Sequence, residues 1–90
     1  MLTLYPLDRE TVINSVKKTG RAVVVQEAPR TCGYGAELIA SINEKALTSL
    51  QAPVQRVCGY DIPVPLPKLE NYYIPDVTRI NKAIESVMSF

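Results

Sequence analysis

Ninety residues, 47% of them apolar and 21% charged, fit one small globular domain with a thin core. Ten basic residues against nine acidic ones give a net charge of +1 with no basic tract, so nucleic acid has no electrostatic footprint to grip. The absence of histidine excludes every Ser–His or Cys–His catalytic pair, and the two cysteines supply at most half of a tetrahedral zinc site.

Leu2-Thr3-Leu4-Tyr5 alternates in character and stops at Pro6, which reads as the tail of a strand whose beginning is missing. Asp8 is a good helix N-cap and Glu10 complements the first turn. Val12, Ile13 and Val16 recur at helical spacing, Lys17 and Lys18 suit the C-terminal end, and Gly20 is free to terminate the helix. Ala22 to Val25 is an unbroken β-branched run, the habit of a parallel strand buried on both faces. After Gln26-Glu27-Ala28-Pro29, a loop from Arg30 to Gly35 carries two glycines. A second helix is expected over 36–50, with Ala36, Ile39, Ala40, Ala46, Leu47 and Leu50 inward, Ile42 widening that face, and Glu44 and Lys45 outward.

Pro53 introduces a strand over 54–58, which Gly59 ends. Prolines 63, 65 and 67 then alternate with Ile62, Val64 and Leu66 in an extended segment that crosses the surface. Asp76 caps a final helix with Val77, Ile80, Ile84, Val87 and Met88 as its buried stripe and Arg79, Lys82 and Glu85 as its wet side. The order of strands and helices predicts an α/β fold: a three-layer, mostly parallel small sheet flanked by helices, one domain over 1–90. No apolar run approaches the roughly 20 residues that span a bilayer, and the start lacks a signal peptide's apolar stretch, so a cytoplasmic protein is expected.

Ligands of open α/β sheets collect at the carboxyl ends of the strands, here Gln26–Gly35 and Cys58–Asp61. The GYG of the first loop precedes a helix and could turn N–H groups on a phosphate, but it lacks the G-x-G-x-x-G fingerprint. Glu27 and Asp61 could form an acid–base pair, or each could hold a turn with Arg30 or Arg56 as ionic partner. No nucleophile stands beside them. Tyr34, Tyr60, Tyr72 and Tyr73 could make an aromatic patch, or simply pack loops down with wet hydroxyls. Cys32 and Cys58 are expected as reduced, partly buried thiols.

Three stretches carry a family likeness. TLYPLDRETVINSVKKTGRAVVV, EAPRTCGYGAELIASINEKA and LQAPVQRVCGYDIPVPLPKLENYYIPD resemble, in order and spacing, the C-terminal region of the beta subunits of thiamine-dependent 2-oxo acid dehydrogenases, a domain of the transketolase C-terminal type. The GYD-x-P-x-P segment looks closer to the branched-chain (2-oxoisovalerate) type than to the pyruvate type. The resemblance implies an oxidoreductase complex of two alpha and two beta subunits that decarboxylates a 2-oxo acid and passes the acyl group to lipoyl groups. In such complexes thiamine diphosphate and magnesium sit on the alpha subunit, and the activating glutamate lies in the N-terminal domain of the beta subunit. This chain carries neither region, so no catalytic, cofactor or metal residue is assigned to it. Relatives often have histidine where this chain has Gln26, and any role of that imidazole is not carried over.

What the resemblance leaves to this domain is subunit packing and docking of the acyltransferase's small basic subunit-binding domain. The docking residues expected are Phe90, Glu85 and Met88, with Phe90 packed down at the terminus. Glu27, Arg30, Thr31, Tyr34, Tyr60 and Asp61 are expected to form a contact loop between domains. Relatives extend well upstream of TLYPLD, so the chain is read as lacking the first strand or strands of the domain, with an uncovered sheet edge that favours self-association. Two rival classes stand beside this reading. One is a free-standing α/β module that takes a small anionic ligand at the Glu27–Gly35 loop. The other is a small metal- or thiol-dependent enzyme, which the missing histidines nearly exclude.

Overall fold

The computed structural model describes residues 1, 3–62 and 73–90. Its elements follow the chain as α1 (Arg9–Thr19), β1 (Val23–Pro29), α2 (Gly35–Ala46), a 3-10 turn (Leu47–Ser49), β2 (Gln55–Gly59) and α3 (Val77–Ser89). The extended reading of 63–67 and the roles of Tyr72 and Leu2 lie outside the described residues.

Helix α1 forms as its sequence dictates. Asp8 accepts from the Thr11 N–H at 3.2 Å and from the Thr11 hydroxyl at 2.7 Å, which satisfies a donor that the helix cannot. Gly20 closes the other end at φ 74, in the left-handed region, with its N–H on the Val16 carbonyl. Ile13 and Val16 face inward and meet Ile42 and Ala46 of α2. Val12, Ala22, Leu50 and Val54 pack around that cluster, so the core lies between the two helices and the beginnings of both strands.

β1 and β2 pair in parallel, with Val23 opposite Gln55, Val24 opposite Arg56 and Val25 opposite Val57. The ladder then loses its regularity until Pro29 meets Gly59. The sheet has two strands among the described residues, with helices flanking it, in keeping with the expected α/β layering.

Several expectations are corrected. Leu4 to Leu7 form a turn, not a strand, and no described strand is available to pair with them. β1 runs four residues past Val25, because β2 continues beside it to Gly59. It is not buried on both faces: Val25 is 48% exposed where no described element covers it. α2 buries only part of the expected face, Ile42 and Ala46, together with Gly35 and Ser41, while Ala36, Ala40 and Leu47 lie in solvent. Of the α3 stripe, Val87 is buried, but Val77, Ile84 and Met88 are exposed because the two-stranded sheet is too narrow to cover the whole helix.

Candidate functional site

The carboxyl ends of the two strands come together as the sequence suggests, and side chains tie them to each other. Gln26, at the irregular part of β1, accepts from the Gly35 N–H at 2.6 Å and donates to the Pro29 carbonyl at 3.1 Å. One amide thereby braces both ends of the Arg30–Gly35 loop. Gly33 lies so close over it that an added Cβ would clash with Gln26 Nε2 and sit 2.5 Å from the Pro29 oxygen. Cys32 makes the bend at φ 61, a conformation that L residues other than asparagine and aspartate seldom take.

Asp61 reaches across from the end of β2 and accepts from both the N–H (2.9 Å) and the hydroxyl of Thr31. Those two bonds, chiefly the hydroxyl's, hold its carboxyl below the ordinary aspartate range. Arg30 and Arg56 complete the closure by donating to each other's carbonyl, at 3.3 and 3.1 Å. Asp61 therefore holds a turn, with Thr31 rather than an arginine as its principal partner. Glu27 is exposed, with no side-chain hydrogen bond among the described residues, and nothing joins it to Asp61 as an acid–base pair.

The amides placed to cradle a phosphate are occupied. At the start of α2 the Gly35 N–H points at Gln26, the Ala36 N–H at the Gly33 carbonyl (3.1 Å) and the Glu37 N–H at the Tyr34 carbonyl (2.9 Å). An anion at this end would displace protein acceptors already in place.

The tyrosines divide. Tyr34 donates its hydroxyl to the Leu4 carbonyl at 2.6 Å and so pins the N-terminal turn. Tyr60 lies under the Arg79 guanidinium, 4.9 Å from its ring centroid. Tyr73 is 3% exposed and packs over Gly59, where any Cβ would collide with its ring, so it is not a wet surface residue. Arg79 leaves the wet side expected of it: Nη2 donates to the Cys58 carbonyl and ties α3 to the end of β2. Cys58 is buried and Cys32 exposed, both as free thiols, which corrects the even burial expected for the pair.

The second expected set lies at the other end of α3. Arg21, just before β1, donates to the Val87 carbonyl at 2.8 Å, whereas Arg79 meets the far end of β2. Eight residues of helix separate the two contacts, about 12 Å, so the strand-end loops and the C-terminus are separate surfaces. Phe90 is 75% exposed and Met88 63%, and Glu85 is exposed as well. The terminus is therefore not packed down, because Val87 is the last residue of α3 to reach the core. Phe90 instead borders a shallow groove of about 490 Å³ lined by Ile39, Leu47, Leu50, Pro53 and Val54.

The family model of the transketolase C-terminal domain matches residues 1–80. The chain belongs to that family. Its relatives include the mitochondrial 2-oxoisovalerate dehydrogenase subunit beta of Dictyostelium discoideum, 49% identical over 98% of this chain. The pyruvate dehydrogenase E1 component subunit beta of Leifsonia xyli is 47% identical over the same share, and the 2-oxoisovalerate dehydrogenase subunit beta of Pseudomonas aeruginosa 48% over 96%. The chain spans about a quarter of the length of these relatives, 24%, 26% and 24% in turn. This transketolase C-terminal domain is similar to both substrate types at nearly equal identity.

Gln26 and Arg79 are the two site-forming side chains that sequence reasoning missed. Both act through partners distant in sequence or across a loop. The one local signal was an uncharged polar residue inside a β-branched strand, at Gln26.

Proposed function

We propose that this chain is the C-terminal assembly and docking domain of the beta subunit of a 2-oxo acid dehydrogenase, working through contacts rather than through a catalytic site of its own. The observation that carries this reading is the use of the strand-end groups. Where an α/β sheet ordinarily holds its ligand, Gln26, Thr31, Asp61, Arg30 and Arg56 bind one another and the backbone. The same arrangement disfavours the rival reading of an anion-binding module at the Glu27–Gly35 loop.

Thiamine diphosphate and magnesium, which the resemblance implies for the parent complex, do not fit the residues here. The first amides of α2 already have acceptors, and the described residues hold no group of three or more His, Cys, Asp or Glu side chains that could take a metal ion. No chemical step is assigned to this chain. The alpha subunit and a second beta subunit are the partners proposed for the strand-end face with Glu27, Arg30, Thr31, Tyr34, Tyr60 and Asp61. Among the described residues no helix is long and apolar enough to cross a membrane. A cytoplasmic location belongs to the same proposal, although the Dictyostelium relative is named mitochondrial.

The docking surface proposed for the acyltransferase's subunit-binding domain is the exposed end of α3. Phe90, beside the groove, and Met88 offer exposed apolar area, while Glu85 offers a charge-assisted acceptor to a basic partner. Deleting Phe90 from the full beta subunit assembled with alpha tests this. Affinity for the subunit-binding domain at low salt should fall roughly tenfold or more, with most of the change in the dissociation rate. Unchanged affinity would rule out the terminus as the docking surface.

A further inference from the structure

Helix α3 is tied to the rest of the fold near both ends by arginines that reach backbone carbonyls. Near its start Arg79 donates to Cys58. Near its other end the donor comes from outside the helix, where Arg21 gives Nε to the Val87 carbonyl at 2.8 Å. Among the described residues Val87 is the one buried residue of α3. Its burial fixes which face of the helix lies inward, but apolar contact has no direction and does not stop the helix sliding along its axis. A helical carbonyl points along that axis, so the bond from Arg21 sets the axial position.

The same guanidinium makes a second bond. Nη1 donates to Gln51 Oε1 at 2.7 Å, and the Gln51 N–H donates to the Gly20 carbonyl at 2.7 Å. Gly20 leaves the space for this return, since a Cβ there would stand 3.1 Å from both Gln51 Cγ and the Ser49 oxygen. Gln51 is thus held by backbone and side chain together on Gly20 and Arg21. With Leu50, Pro53 and Val54 it lines one side of the groove of about 490 Å³, and Phe90, three residues beyond Val87, lines it from α3. One rigid, planar fork therefore joins the two sides of the groove.

We infer that Arg21 is the positioning residue of this groove: its guanidinium sets the distance between the Leu50–Val54 side and the end of α3 that carries Met88 and Phe90. The inference rests on the docking role proposed for that end of α3, and adds the residue that shapes the surface. Arg21 acts through Val87 and Gln51.

Two readouts test it. In the 90-residue chain with Cys32→Ser, which removes the exposed native thiol, spin labels on cysteines placed at the exposed Thr48 and Ser89 report the distance across the groove. Arg21→Met, which keeps much of the side-chain length without its donors, should broaden that distance distribution. Arg21→Lys should broaden it too, because an ammonium keeps the charge but lacks the fork that spans two acceptors. Gln51→Leu cuts one bond at an exposed position and should act in the same direction. In the full beta subunit assembled with alpha, Arg21→Met should weaken binding of the acyltransferase's subunit-binding domain about fivefold at low salt. Adding Gln51→Leu should weaken it no further, since both changes remove the same bridge. An unchanged distribution in Arg21→Met overturns the inference, even where the melting temperature falls, and so does a lysine variant that matches the unaltered chain. Unchanged affinity in Arg21→Met, where deletion of Phe90 does lower it, overturns it as well. Unchanged affinity on deletion of Phe90 would instead sink the docking reading, and the label distances alone would then decide whether Arg21 shapes the groove.

Discussion

Gln26 lies under the loop that leaves β1, with its carbonyl on the Gly35 N–H and its amine on the Pro29 oxygen. Gly33 is what leaves it room, since a Cβ there would meet backbone as well as the movable amide. Gly33→Ala should destabilise the fold by about 1–3 kcal/mol, the usual cost of overpacking, read from the urea midpoint. Adding Gln26→Ala should recover only part of the loss, because the Pro29 carbonyl cannot step aside as a side chain can. The Asp61–Thr31 link adds a pH dependence. Asp61 has a lowered carboxyl in the folded chain, so its contribution is present above the ordinary aspartate value of about 3.9 and fades as pH falls through the folded value. Urea titrations from pH 5 downward should show the unaltered chain losing more stability than Asp61→Asn. Parallel losses would show that the link does not contribute. Asp8 behaves in the same direction, its carboxyl lowered first by the Thr11 hydroxyl and then by the Thr11 N–H. The cap at Asp8 was legible in the sequence because a cap depends on residues within one turn. The Gln26 clamp was not, because it depends on where the chain returns after Cys32.

At the scale of elements, α1 and α2 are joined by apolar packing and by one arginine. Arg9 donates Nε to the buried Ser41 hydroxyl at 3.2 Å and Nη2 to Glu37 at 2.8 Å. The two bonds should differ in weight. The Arg9–Glu37 pair is about half exposed on both sides, so Glu37→Gln should change stability by no more than about 0.5 kcal/mol. Arg9→Ala, by contrast, leaves a buried hydroxyl short of a partner and should cost about 1–2 kcal/mol. Thermal unfolding of the two variants side by side distinguishes them, and equal effects would contradict the assignment. Ser41 also explains why the face of α2 was misread. Apolar residues occur all round this helix, and its buried residues include a serine against α1 and a glycine against β1, which a search for an apolar stripe passes over. For α3 the stripe was read correctly as a pattern, but a pattern does not say how much partner surface exists. Ile84 and Met88 continue beyond what two strands can cover. Arg79, counted as wet from its neighbours Lys82 and Glu85, finds the Cys58 carbonyl because α3 crosses the end of β2.

At the scale of the whole molecule, alternating strands and helices were enough to give the α/β class and the parallel pairing, since that order leaves few other topologies. The family likeness rested on motifs that run the length of the chain, and relatives 47–49% identical support it. What could not be read in advance was the purpose of the loop at the carboxyl ends. Glycines before a helix suggest a phosphate cradle, yet here they make space for Gln26 and leave no free amide in the first turn. A domain that closes its own strand ends in this way should contribute surfaces, not a cofactor site. Isothermal titration of the chain with thiamine diphosphate and magnesium tests that most directly. No binding heat is expected at any concentration up to the millimolar range, and a saturable micromolar signal would contradict it.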